Sequence, residues 1–319
     1  MLQDFFTYGL RLCTVFLLVI LFSAGSGFAQ GCSDAGFCTM GAMKPNQHFS
    51  RRIDVKLKSI EIGGNMGYTH FNDVILTYVA DFNFAATRKL AVQVKVPYMM
   101  ISGPLAKTDG LSDISIALTH SLIAKEKYSL SLTAGTKIPV NDADKKQGGK
   151  SLPMYYQTSL GTYDLIVGAS LFTKKWLFAT GYQQPLNKNA SGFFWGAWNG
   201  DSQIETVRKY PVALQLYRGT DVMFRVERNF RFSRVNLFTG LLPIYRLTKD
   251  EITDPASKKR VKVEGSDGLA LTFLNGFGYR FSAKSSIKLL TGIRLVKRET
   301  NPDGLSREFV VNLSYLYRF

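Results

Sequence analysis

The chain has 319 residues, with 40 Lys and Arg against 24 Asp and Glu, a formal net charge of +16. Three histidines and three cysteines leave little material for a metal centre or a histidine-based active site. A cytosolic protein this basic would suggest nucleic acid. This chain reads as exported and has no nucleic-acid motif, so anionic lipid headgroups or an anion-friendly interior explain the charge better.

Residues 1–29 have the form of an export signal. Arg11 supplies the positive region, beside an unusual Asp4, and Leu12 to Phe22 (LCTVFLLVILF) is the apolar run. Gly27-Phe28-Ala29 is the small-x-small cleavage site. The run is shorter than the ~20 residues of a spanning helix, and no later segment offers one. The expected mature chain is 319 − 29 = 290 residues, and it can enter a membrane only as strands.

Residues 30–50 are too irregular for a strand and read as a periplasmic tail or a plug inside a barrel. Cys32 and Cys38 lie in this segment (QGCSDAGFC). Export puts them in an oxidising compartment, and one small disulfide loop is the favoured reading. A lipid-modified Cys32 would need a better lipobox than Ala29-Gln30-Gly31. A metal or redox site would want a further His or Cys within the loop, and His48 lies ten residues past Cys38.

From about residue 51 to the end, extended segments are separated alternately by short turns and longer polar loops. Short connections fall near Ala85–Arg88, Ala124–Lys127, Lys174–Lys175, Asn229–Ser233 and Ser282–Ser285. Longer ones fall near Met100–Asp109, Pro139–Pro153, Pro185–Lys209, Lys249–Ser266 and Thr300–Leu305, with Thr69–Asp73 a short connection on the long-loop side. Between them lie twelve candidate strands, each near the ~9–11 residues a tilted membrane strand needs. Short periplasmic turns, longer outer loops and an even strand number are the pattern of an all-β, antiparallel transmembrane barrel. The first strand, interrupted by Gly63-Gly64, and the Tyr210–Glu227 region, readable as one long strand, fit least well.

Side chains alternate across a strand. Leu90, Val92, Val94, Val96 and Tyr98 alternate with Ala91, Gln93, Lys95 and Pro97, and the strands at Tyr128–Ile138, Leu269–Phe281 and Ile287–Leu295 do likewise. The small and polar members would face the lumen. At the end of the chain, REFVVNLSYLYRF places Phe309, Val311, Leu313, Tyr315, Tyr317 and Phe319 on one face. It resembles the C-terminal strand of bacterial outer-membrane proteins, which implies recognition of Phe319 by the barrel-assembly machinery. A soluble β-sandwich is the alternative; it predicts a buried apolar face and fewer aromatics at strand ends.

Catalytic equipment is thin. An outer-membrane lipid hydrolase would want a His-x-Ser pair on one strand face. Here His120 is followed by Ser121 and Leu122, so Ser121 points the other way. Paired carboxylates such as Asp142/Asp144 and Asp250/Glu251 read as solvated loop charges. No metal-ligand or cofactor motif is present, and an enzyme is not expected.

The lumen says more. Lys95, Lys137, Arg225, Arg246, Arg280, Lys288, Arg294 and Arg318 project inward, against Asp81, Asp164 and Glu227. Either they form a salt-bridged interior, or their excess of Lys and Arg biases permeation toward anions. One loop stands apart: NASGFFWGAWNG holds Phe193, Phe194, Trp195 and Trp198 among glycines. A water-facing loop does not carry such aromatics unburied. A lid or entry site at the barrel mouth is favoured over the membrane or lipopolysaccharide boundary and over a partner-protein contact.

Gly110-Leu111-Ser112-Asp113, Ala134-Gly135-Thr136-Lys137-Ile138-Pro139-Val140 and Ser159-Leu160-Gly161-Thr162-Tyr163-Asp164 occur in that order. Together they resemble the outer-membrane family named for the meta pathway of phenol degradation, related to FadL-like transporters. That family has a Gly-x-Gly-Asp strand start, a Gly-x-Lys-x-Pro strand exit and a Gly-x-Gly-x-x-Asp element; Ser112 and Ser159 each replace a glycine here. The resemblance implies a monomeric barrel with a transport role and gives Asp113 and Asp164 the place of the motif aspartates. Their reading from the residues alone is structural, as lumen acids that pair with Arg or Lys. The segment around Cys32 also has the composition of Bacteroidetes-type proteins. The combined expectation is a channel or transporter for small apolar or anionic compounds in the outer membrane, among its lipid and lipopolysaccharide. A non-conducting scaffold or surface-binding barrel is the alternative.

Overall fold

The computed structural model describes residues 39–44 and 56–319. The signal segment, Cys32, Cys38 and His48 therefore lie outside the described residues. In chain order the strands begin with β1 (Lys56–Tyr68), β2 (Val74–Ala85), β3 (Leu90–Ser102), β4 (Lys107–Leu111), β5 (Ile114–Ala124) and β6 (Tyr128–Ile138). Then come β7 (Lys146–Gln147), β8 (Lys150–Ser151), β9 (Asp164–Thr173), β10 (Trp176–Pro185), β11 (Asp221–Arg231) and β12 (Val235–Arg246). The last are β13 (Glu251–Thr253), β14 (Arg260–Lys262), β15 (Gly268–Arg280), β16 (Ser285–Val296) and β17 (Phe309–Arg318).

Twelve of them form a closed antiparallel barrel in which sequential neighbours pair and β1 closes on β17. The closing seam runs from Ser59↔Arg318 to Tyr68↔Phe309. β4 adds to the upper end of β3, while β7–β8 and β13–β14 are small hairpins in the long loops. Closure leaves no open sheet edge, the condition for crossing a bilayer as strands.

Period two sets the two faces. Outward lie residues such as Ile62, Tyr78, Leu118, Leu132, Phe224, Leu241 and Leu313, all exposed. So much contiguous apolar surface is unstable in water and expected against lipid. Aromatics mark both edges of this band. Tyr68, Tyr163, Tyr182 and Tyr245 sit at the long-loop end, and Phe84, Trp176, Phe230, Phe281, Tyr317 and Phe319 at the short-turn end. Two such girdles are the mark of membrane interfaces.

Two sequence expectations change. The glycines at 63 and 64 do not interrupt β1, because Gly63 faces inward where any Cβ would crowd Ser314 across the seam. The Tyr210–Glu227 region is not one long strand, since β11 begins only at Asp221. The preceding residues leave the sheet because Tyr210, Ala213 and Leu216 are buried in a loop core instead.

That core lies at the long-loop end. The segments 139–163 and 186–220 fold inward and pack Leu152, Tyr155, Tyr156, Phe193, Trp198 and Tyr210 onto Ile75, Met99 and Ile101 from the upper walls of β2 and β3. We call it the cap. A second apolar cluster lies in the lumen, where Met40 and Met43 meet Ala117, Ile166, Ala179, Met223, Leu242 and Leu274.

Candidate functional site: a lumen closed from both ends

Residues Thr39–Lys44 sit inside the barrel. They form a tight 3-10 turn at Gly41–Met43. Gly41 adopts φ +49°, and a Cβ there would run into Thr119 and Thr133 on the wall. Wall side chains satisfy the segment's backbone. The Gly41 amide donates to Gln93 Oε1 (2.6 Å) and the Ala42 amide to Thr133 Oγ1 (2.9 Å). Arg225 donates to the Met43 carbonyl (3.1 Å), and Lys95 to Thr39 Oγ1 (2.8 Å). Met43 rests against Gly168, where a side chain would displace it. Lys44 bridges Glu61 (2.9 Å) and Asp81. Beside the segment a cavity of about 60 Å³ remains, lined in part by Lys44, Glu61, Asp81, Lys95 and Lys288, room for a few waters.

Asp81, Lys95, Lys137, Asp164, Arg225, Glu227, Arg246 and Arg294 are buried on the lumen side of the wall, and they do not form one cationic lining. Lys288 pairs with Glu61 (3.1 Å), Arg225 approaches Glu227 (3.6 Å), and Lys137 approaches Asp113 (3.8 Å). Arg294 pairs with Glu308 and donates to Ser306 (2.7 Å). Asp164 accepts from Thr162 (2.8 Å), Gln183 and Arg218. Asp113 accepts from the Ser159 hydroxyl and the Leu160 amide (3.1 Å). Both motif aspartates thus pin cap loops to the barrel rim. Arg280 and Arg318 lie apart from these pairs, at the short-turn end.

The strongest ionic group sits where β12 meets the cap. Arg246 donates to Asp221, Asp250 and Asp303, each at 2.8 Å, and Arg298 approaches Asp221 (3.5 Å). The solvated reading of Asp250 is corrected here: it is fully buried, because Arg246 and the Gly219 amide (2.6 Å) draw it inward. Burial acts to raise the Asp303 carboxyl, yet Arg246, Arg298 and Arg218 hold it well below the usual range. Asp221, Asp303 and Arg218 were not singled out from the sequence. A charge in an aperiodic loop, as Arg218 and Asp303 are, or at the first residue of a strand, as Asp221 is, carries no local pattern that betrays a distant partner.

The aromatic loop divides. Phe193 and Trp198 are buried in the cap, Phe194 is half-buried, and Trp195 is exposed while its indole N–H donates to the Tyr210 carbonyl (2.8 Å). Below them Tyr156 (2.6 Å), Tyr210 (2.9 Å) and Thr69 (3.0 Å) donate to Asp73, whose carboxyl burial pushes up against those bonds. His70 adjoins this knot. Burial and the charges of Lys297 and Arg294 lower its pKa to about 4, so it is neutral near pH 7 and its 3.8 Å approach to Glu308 is no ion pair. His120 is on the outer face near the short turns, opposite in direction to Ser121. Among the described residues, no group of three or more His, Cys, Asp or Glu could hold a metal ion.

A closed twelve-stranded barrel with a lipid-facing band, two aromatic girdles and a polar lumen is a transmembrane barrel of the outer membrane. No protein-family model matches the chain, and no curated protein does. Among solved structures it is similar to an outer membrane channel from Pseudomonas putida F1, with a TM-score of 0.58 and 13% identity over 86% of this chain and 99% of that one. Weaker likenesses are the NanC porin (TM-score 0.46, 9% identity, 82% of this chain and 100% of that one) and the CymD monoaromatic hydrocarbon channel (0.39, 10%, 93% and 95%). At 13% identity the first of these establishes a shared barrel architecture.

Proposed function

We propose that this chain is a gated outer-membrane channel for small solutes, held shut by its own N-terminal segment. The observation that carries the reading is the seating of Thr39–Lys44, with backbone, thioether and ammonium groups each met by the wall. A segment seated this closely against the wall lies across any passage through the lumen. Apolar or anionic compounds are the favoured solutes. An aromatic cap offers an apolar entry past Trp195, and the basic residues of the short-turn end, Arg231, Arg234 and Arg280 among them, favour anions at the far mouth. Phe319, exposed at the end of the last strand, remains the proposed signal for the barrel-assembly machinery.

Conductance in a planar bilayer under a salt gradient tests this. The full chain is expected to stay mostly closed, and the chain lacking Thr39–Lys44 to conduct in steps with anion preference. Silence from both would remove the channel. The second reading is a scaffold whose loops do the binding, favoured by the density of paired charges around Arg246. It predicts that silence.

A further inference from the structure

The short-turn end of the barrel is strongly basic. Its five turns carry Arg88 and Lys89, Lys125 and Lys127, Lys174 and Lys175, Arg234, and Lys284, with Glu126 as their one acid. On the lumenal side of this rim, a cavity of about 140 Å³ is lined by Arg231, Arg234, Arg280, Lys288, Asn236 and Ser286, among others. Among the described residues no carboxylate lines it. Lys288, at the inner end, is neutralised by Glu61 (3.1 Å); the three arginines nearer the mouth have no such partner in the cavity wall.

Two of these arginines are already held in place. The Arg231 guanidinium lies over the Phe172 ring, 4.7 Å from its centroid. Arg280 donates to the Ser233 carbonyl at 2.5 Å. The remaining N–H groups of each planar fork are suited to bidentate contact with an oxyanion. Ser286 supplies a neutral hydroxyl to the wall, and Asn236, which faces Arg231 across the β11–β12 pair, donates to Asn229 Oδ1 (3.4 Å). The volume exceeds what several waters need.

We propose that this cavity is a phosphate-binding site at the periplasmic mouth, taking either a small phosphate-bearing solute or the headgroup of an anionic phospholipid. Arg231 on β11 and Arg280 on β15, with β12 between them, both line this one cavity, and the basic rim raises the local concentration of an anion. The site stands apart from gating: a silent barrel that binds phosphate here would refute the channel and leave the site.

The test is calorimetric titration of the full chain in uncharged detergent with inorganic phosphate at low salt. Native mass spectrometry with phosphatidylglycerol against phosphatidylcholine accompanies it. Arg231→Gln/Arg280→Gln is compared with Lys258→Gln/Lys259→Gln, which removes equal charge from an exposed loop at the opposite end. Removing the two arginines is expected to weaken phosphate binding about tenfold or more, the effect of losing charge-assisted hydrogen bonds, with the lysine variant unchanged. Retention of phosphatidylglycerol alone, abolished in the arginine variant, assigns the site to lipid. Binding of neither probe, or equal loss in both variants, overturns the proposal. Heat-modifiable electrophoretic mobility confirms that each variant is a folded barrel.

Discussion

Replacing Met40 and Met43 together by aspartate is expected to turn a closed barrel into a conducting one. Both side chains are fully buried among Ile166, Met223, Leu242 and Leu274. An unpaired carboxylate in such surroundings costs several kcal/mol, and breaking a buried pair costs ~3–5 kcal/mol. Moving a two-state equilibrium from 99:1 to 1:99 takes about 5.5 kcal/mol, so two such groups suffice to unseat the segment. The barrel itself survives, because Thr39–Lys44 contributes no strand to the sheet. Planar-bilayer recording reads the result. An aspartate pair that folds and remains as silent as the parent would mean the segment closes nothing.

The second large effect is on the cap. Arg246→Met removes the counter-charge shared by Asp221, Asp250 and Asp303. Stranding buried carboxylates costs ~3–5 kcal/mol, concentrated where β12, the 247–267 loop and the 297–308 loop meet. Amide hydrogen exchange in those loops is expected to accelerate by orders of magnitude while the barrel strands stay protected. The pH dependence has opposite signs in the two proteins. In the parent, the depressed Asp303 carboxyl contributes fully above its unfolded pKa of about 3.9 and loses that contribution as pH falls through its lower folded value. In the variant Arg298 remains beside Asp221 and Asp303, but three buried carboxylates outnumber it, so mild acid protonates the excess and raises protection once the intrinsic pH dependence of exchange is divided out. Equal exchange in parent and variant would show that the ionic group does not hold the cap.

Strand positions were legible because a lipid-facing wall and a polar lumen impose period two on every strand, and the short turns carry charged breaks. Lys95, Lys137, Arg225 and Arg294 could therefore be placed inward from parity alone. Parity gives direction and no partner. That Arg246 answers three aspartates, one of them in a loop 57 residues onward, follows from barrel closure, which no local pattern encodes. The loop aromatics were conspicuous as large apolar groups in a polar stretch. Their division into buried Phe193 and Trp198 and exposed Trp195 depends on Tyr155 and Tyr156 from another loop and on Tyr210 further along the same one, none of them in a periodic run. Met40 and Met43 carried the weakest signal: two apolar residues in an irregular run, meaningful only once Ile166 and Leu242 on the lumen wall receive them.

The most direct test of the closed-channel account is a reversible lock on the segment. The Ala42 amide lies 2.9 Å from Thr133 Oγ1, so the two positions adjoin, and Ala42→Cys with Thr133→Cys, in a chain whose Cys32 and Cys38 are serine, is the pair to cross-link segment to wall, with closure of the disulfide confirmed by thiol titration. Single-channel recording of the oxidised protein, then of the same membrane after a reductant is added, is the measurement. The account predicts silence while the disulfide holds and intermittent voltage-driven openings once it is reduced. Openings of the same size and frequency before and after reduction would contradict it.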